Sequence, residues 1–185
     1  MLVVDHLFVC VPADRREAQQ FRELGFCVEF SRDHAGQGTA NDLVLFQGNY
    51  FELLFARDAE EMACNALGLD RRFAAAQSGA SPFGIALRGD RNRLDPPASV
   101  PYRLPGMSAP LHIVTACLRD DRLPMVFCFD SDEPAAGGPR NWEVESSLLA
   151  HDCGARGLAP TKLAGPGYAE MSTWGLPETL EIVDA

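Results

Sequence analysis

Two strands in the first fifty-six residues constrain this chain more than any other feature, because each is mostly apolar on both faces and yet carries an ionisable side chain within it, His6 in one and Glu52 in the other. In Val4-Asp5-His6-Leu7-Phe8-Val9-Cys10-Val11, alternation puts His6, Phe8 and Cys10 on one face and Leu7, Val9 and Val11 on the other. In Tyr50-Phe51-Glu52-Leu53-Leu54-Phe55, Glu52 shares a face with Tyr50 and Leu54. Strands of this kind are covered on both sides. A histidine there needs a partner, and an ionised carboxylate there needs a cation.

The residues between the two strands punctuate themselves. Asp14 with Glu17 forms a capping box, Ala18, Phe21 and Leu24 recur at helical spacing, and Gly25 supplies the stop, which predicts a helix from Asp14 to Leu24. Phe26 to Phe30 reads as a strand, Ser31 to Ala40 as a loop and Asp42 to Phe46 as a strand, and Gly48-Asn49 turns into the Glu52 strand. The order is βαβββ. The glycines of Gly36-Gln37-Gly38-Thr39-Ala40-Asn41 do not make a phosphate loop, since no G-x-G-x-x-G exists and a strand rather than a helix follows. A loop lining or lidding a cavity fits better, with Gln37, Thr39 and Asn41 as polar contacts to a small-molecule ligand.

Asp5-His6-Leu7, Leu24-Gly25-Phe26, the glycine loop and Asn49-Tyr50-Phe51-Glu52-Leu53-Leu54 together resemble the glyoxalase-like branch of the vicinal oxygen chelate superfamily. Leu123-Pro124 at the head of a later strand and His151-Asp152-Cys153-Gly154-Ala155 extend the likeness, which is strong over residues 1–56, patchy from 81 to 155 and absent beyond. The resemblance implies an α+β fold in which paired βαβββ modules form a curved sheet around a cavity. It implies 1–56 as the first module, 57–80 as a helical bridge, 81–155 as a degenerate second module and 156–185 as a C-terminal extension, all within one structural domain. Catalytic members hold a divalent metal (Zn, Fe, Mn or Ni) on the first and last strands of their modules. Here those positions are His6 and Glu52, with Glu52 also placed to serve as the proton-transfer base. Homodimerisation is expected on the same grounds.

The second half departs from that pattern. With the second module laid over the first, Phe83, which cannot ligate, stands opposite His6, and Cys128 falls near the Glu52 position. A thiolate binds zinc, but cysteine is also commonly buried for packing alone. His112, sharing a strand face with Val114 and Ala116, is the candidate third metal ligand, against its bland role as a satisfied core histidine. His151 sits before a turn and reads as structural or pocket-lining, and His34 as a solvated loop residue. Asp90 to Val100 is charged and proline-rich where a helix is expected, and Asp95 to Pro110 reads as irregular connection. Asp58 to Gln77 has helical composition, Asp130 to Asn141 is a polar loop suited to close a cavity mouth, and Thr179 to Val183 is a short final strand that would add to an existing edge.

At 185 residues and 46% hydrophobic content the chain can fill a core. A net charge of -10 argues against nucleic acid, no apolar run approaches a membrane span, and the opening strand lacks a signal peptide's pattern. Six cysteines without C-x-x-C spacing point to a reducing cytoplasm. Three classes remain: a metal-dependent lyase, isomerase or dioxygenase acting on a vicinal-oxygen substrate; a metal-free protein that sequesters an aromatic or cationic compound, for which Trp142, Trp174 and the phenylalanines are suited; and a non-catalytic assembly protein.

Overall fold

Two central strands, β1 (Val3–Val11) and β5 (Phe83–Arg88), run antiparallel, and each begins one half of an eight-stranded sheet. The computed structural model describes residues 2–94, 98–103, 105, 107, 109–129, 146–158, 161–166 and 168–183. The first half continues with helix α1 (Arg16–Glu23), then β2 (Glu29–His34), β3 (Thr39–Leu45) and β4 (Tyr50–Ala56). In the second half β5 is followed by a three-residue 3-10 turn (Arg91–Arg93), β6 (Ser99–Tyr102), β7 (Leu111–Val114) and β8 (Met125–Phe129). The strand order β2-β3-β4-β1-β5-β8-β7-β6 is palindromic in pattern. In each half the first strand pairs parallel with the fourth, and the other pairs are antiparallel. This is the paired-module α+β architecture, curled around a cavity.

The helix of the first half lies on the outer face of β1, β3 and β4, where Ala18 and Phe21 pack on Val11, Val44 and Phe55. Its expected capping box does not form. Arg15 takes the N-cap position in the left-handed region (φ 56°) and reaches buried Asp42, with Nε donating at 2.9 Å. That ion pair overrides the local cap preference, and Asp14 instead pairs with Arg16.

In the second half the corresponding outer face belongs to the C-terminus. Leu163, Tyr168, Met171, Trp174 and Leu180 bury Ile85, Leu87, Val126 and Cys128, each such side chain contributing about 1.5–3 kcal/mol by leaving water. Tyr168 also hydrogen-bonds Ser81 at 2.6 Å. β9 (Thr161–Ala164) and β10 (Leu180–Val183) pair parallel as a separate two-stranded sheet. The final strand therefore does not extend the main sheet, as the sequence suggested. It buttresses the segment that stands where a helix is missing.

Other boundaries shift for tertiary reasons. The strand expected at Phe26 to Phe30 begins only at Glu29, because the Val28 carbonyl accepts from Arg22 and the Cys27 amide donates to His151 Nδ1 at 3.0 Å. The loop expected over Ser31 to Ala40 contracts to a four-residue turn, so Thr39 and Asn41 stand on β3. Gly38 takes φ 75°, and an added Cβ there would strike the Asp58 carbonyl and the Met62 amide. The bridge forms three short helices, α2 (Ala59–Ala63), α3 (Leu69–Phe73) and α4 (Ala75–Ser78), with the Asp58 side chain accepting from the Glu60 and Glu61 amides. A fifth short helix, α5 (Thr115–Arg119), follows β7. Part of the expected irregular connection from Asp95 to Pro110 is strand β6, while the polar loop Asp130 to Asn141 and Trp142 lie outside the described residues. All six cysteines are free thiols, and no helix among the described residues is long and apolar enough to cross a membrane.

Candidate functional site

The concave face of the sheet encloses a cavity of about 90 Å³ with two unlike walls. The first half supplies His6, His34, Asn41, Tyr50 and Glu52; the second half supplies Ile113, Met125, Phe127 and Phe129, with Leu67 and Leu69 of the bridge closing one end. Parity explains the polar wall. In β1, His6 and Phe8 face inward, and in β4 Tyr50, Glu52 and Leu54 do so, with the parallel register setting His6 beside Tyr50 and Phe8 beside Glu52.

His6 is buried and stacks on Tyr50 with ring centroids 4.2 Å apart. Its Nε2 stands 3.3 Å from Glu52 Oε2 and its Nδ1 2.8 Å from Asp5 Oδ1. Strict alternation would send Asp5 to the opposite face, but the β1–β5 register breaks between Val4 and His6, and this bulge brings the neighbouring side chains together. The other Asp5 oxygen accepts from Arg88 on β5. Burial would push the His6 pKa down, but the hydrogen bonds and charges of Asp5 and Glu52 outweigh it and raise it to about 9. Burial likewise works against ionisation of Glu52 and Asp5, and His6 holds both below their ordinary values. The cluster is two cations against two carboxylates, charged and neutral overall.

Asn41 organises the rest of the polar wall. Its amide donates to Glu52 Oε1 at 2.5 Å and to His34 Nε2 at 3.3 Å, while its carbonyl accepts the Arg32 backbone amide at 3.3 Å. His34 then donates from Nδ1 to Thr39 Oγ1 at 3.0 Å, and Gln37 donates to the same hydroxyl at 2.9 Å. Burial lowers the His34 pKa, so this ring is neutral in the tautomer the network requires. His34 is thus a cavity residue rather than the solvated loop residue expected, and Thr39 reaches the cavity only through His34 and Gln37.

The expected ligands of the second half are elsewhere. His112 lies on the outer face of β7, opposite to Leu111 and Ile113, with its ring against the Arg91 guanidinium. Cys128 is on the outer face of β8, packed with Ile85 and Leu87 and directing its thiol toward the Gly89 carbonyl. The inward face presents Met125, Phe127 and Phe129 instead. Phe83 points outward too, and its neighbours Gly84 and Ala86 face the cavity side, Gly84 beneath the Phe8 ring. His151 bridges β3 to the segment before β2, accepting from Cys27 and contacting the Leu45 carbonyl at 3.0 Å, which makes it structural. Trp174 is buried in the outer core and lines no part of the cavity.

For a resident divalent metal, His6 and Glu52 have the separation of two neighbouring ligands, and Asp5 orients the imidazole as carboxylates do for metal-bound histidines. A catalytic centre takes about three protein ligands. Among the described residues no group of three His, Cys, Asp or Glu side chains is arranged to hold a metal ion, and the facing wall is aromatic. The described donor set does not fit a three-ligand centre. What it offers is a buried donor, His6 Nε2–H, beside an ionised acceptor, Glu52. A larger depression of about 820 Å³, bordered by Leu2, Leu7, Arg93 and Glu178, contains no such convergence.

Residues 4–177 match the family model described as "Glyoxalase-like domain". Similar solved structures include a hypothetical protein from Staphylococcus aureus (16% identity, TM-score 0.48, 72% of this chain and 60% of that one). A hypothetical protein from Bacillus halodurans shares 16% identity over 72% of this chain and 97% of that one, with a TM-score of 0.46. A methylmalonyl-CoA epimerase from Mycobacterium tuberculosis shares 12% identity over 70% of this chain and 88% of that one, with a TM-score of 0.46. The chain thus spans less than two thirds of the staphylococcal protein's length. No curated protein matches the sequence.

Proposed function

The chain belongs to the glyoxalase-like domain family, and from that premise we propose that it binds a small molecule bearing two adjacent oxygens in the cavity between its halves and moves a proton on it with its own side chains. The observation that carries this reading is the 3.3 Å approach of His6 Nε2 to Glu52 on the wall of an otherwise largely apolar cavity. A carbonyl oxygen of the ligand accepts from His6 Nε2–H while the neighbouring hydroxyl donates to Glu52. Contact with the ligand loosens the ion pair, which makes the carboxylate a stronger base toward the proton on the carbon beside the carbonyl. His6, kept charged by Asp5, stabilises the oxyanion that forms. The reaction class is isomerisation or lyase chemistry next to a carbonyl.

The test is solvent deuterium exchange, followed by NMR, into a panel of small 2-hydroxycarbonyl compounds, with metal content measured on untagged protein purified without chelators. The reading expects exchange that Glu52→Gln abolishes while binding persists, in protein free of stoichiometric metal. Binding without exchange would make the chain a metal-free sequestering protein. A second reading, a metal-dependent lyase or dioxygenase, draws support from the carboxylate on His6 Nδ1. Near-stoichiometric zinc, iron, manganese or nickel, lost in both His6→Ala and Glu52→Ala, would install it. The sheet edges, β2 and β6, are where a second copy would add to form the homodimer expected from the sequence, and light scattering reads that directly.

A further inference from the structure

We infer that the ligand of this cavity is an organic anion whose charged end is held at the mouth by Arg32. The inference rests on the small-molecule reading above and adds the class of molecule. Arg32 lines the cavity but is itself exposed, which puts it where the cavity meets solvent. Its position follows from an irregularity. The β2–β3 ladder breaks register between Phe30 and Asp33, and the Arg32 amide is taken by the Asn41 side chain in place of a backbone partner. Such bulges re-aim a side chain. The same Asn41 amide holds Glu52, so one residue sets both the floor carboxylate and the backbone under the cation at the mouth.

Charge accounting then singles Arg32 out. At the floor, Arg88 answers Asp5 and His6 answers Glu52, so nothing is left over. The neighbour on the strand, Asp33, pairs with Arg57 at 3.3 Å. His34 is neutral. Among the described residues Arg32 makes no ion pair, although the chain carries a net charge of -10 and gives Arg15, Arg16, Arg57, Arg71, Arg88 and Arg122 a carboxylate each, and it is the arginine that lines the cavity. A guanidinium on an apolar-walled cavity, with every nearby carboxylate already engaged, is built to receive an anion from outside, and its planar fork matches a carboxylate or phosphate. The aromatic wall of Phe127 and Phe129 takes the apolar body.

The experiment compares mandelate with its neutral isostere mandelamide, by calorimetry and by methyl NMR of Met125 and Ile113, on wild type, Arg32→Gln and Arg32→Lys. Wild type is expected to prefer mandelate by about tenfold or more, as a charge-assisted hydrogen bond does. Arg32→Gln should erase the preference while leaving mandelamide binding and the melting temperature unchanged, and Arg32→Lys should retain part of it. Equal binding of the two compounds by wild type, or a preference that survives Arg32→Gln, overturns the anion assignment and leaves the cavity reading standing. Failure of both compounds to perturb Met125 and Ile113 overturns the cavity reading and the assignment with it.

Discussion

His6 and Glu52, forty-six positions apart in the chain, meet as a buried ion pair at 3.3 Å because β1 and β4 lie side by side in parallel register. The pair belongs to a longer chain of contacts running from Arg88 through Asp5, His6, Glu52 and Asn41 to His34. Both carboxylates and both ring nitrogens of His6 are partnered, and the buried atom along it without a hydrogen bond is Arg88 Nε, so a ligand that reaches His6 or Glu52 must compete for the network.

Stability should depend on pH in a defined window. The His6 pKa is raised in the folded state from 6.5 to about 9, so its contribution is complete below 6.5 and is lost as pH rises through 9. Glu52 and Asp5 are lowered, so their contributions are present above their unfolded values, 4.5 and 3.8, and are lost on acidification below them. Urea midpoints should therefore peak between about pH 5 and 6.5 and decline toward pH 9. A midpoint rising from pH 6.5 to 9 would show that His6 is not the charged member.

Breaking the pair from one side should be costly. His6→Ala leaves Glu52 buried without its cation while Asp5 keeps Arg88, and a loss of about 3–5 kcal/mol is expected by denaturation. Glu52→Gln keeps the shape and the Asn41 contact and should cost less. In a double-mutant cycle, His6→Phe with Glu52→Leu should cost less than the sum of the singles, because no uncompensated charge remains. Additivity would mean the two side chains do not interact.

Gly38→Ala should destabilise by more than the usual strain of a positive φ. The added methyl would meet backbone atoms of Asp58 and Met62, which anchor the start of α2 and cannot swing aside as a side chain can. The bridge helices should loosen first, seen as faster amide exchange over residues 59–73 than elsewhere. Gly48→Ala, at φ 100° but with nothing nearby, isolates the conformational part of the cost.

Arg72 is buried and holds three carbonyls, those of Ser81, Cys117 and Leu123, and among the described residues it forms no salt bridge. Burial lowers its pKa, the nearby thiols opposing this. Arg72→Met fills the volume but orphans the three acceptors, and at about 1–3 kcal/mol for each buried unsatisfied group it should prevent stable folding or lower the melting temperature severely. A near-neutral effect would mean that water reaches those carbonyls.

Parity and period made the first half legible. The βαβββ order, the inward face of His6 and the shared face of Glu52 all follow from alternation and punctuation signals inside one short segment, whereas the glycine loop expected from Ser31 to Ala40 proved to be a four-residue turn. Where longer-range contacts intrude, the residues mislead. Asp14 has the right spacing for a cap, but Arg15 finds Asp42. Phe26, Cys27 and Val28 look like strand, but Arg22 and His151 take their backbone groups.

By itself, then, the sequence determined the βαβββ order of the first half and the strand faces of His6 and Glu52, because alternation is a local property that survives whatever the strand is packed against, and the paired-module α+β fold followed from the family resemblance. Tertiary structure decided what those residues became. In β7 and β8 both faces are apolar, so nothing local says which turns inward, and a one-residue difference sent His112 and Cys128 outward and brought Phe127 and Phe129 to the cavity. A bulge recruited Asp5, and Arg88 arrived only through the register between β1 and β5. The C-terminal segment took the place of the missing helix because an exposed apolar sheet face has to be buried by whatever part of the chain can reach it.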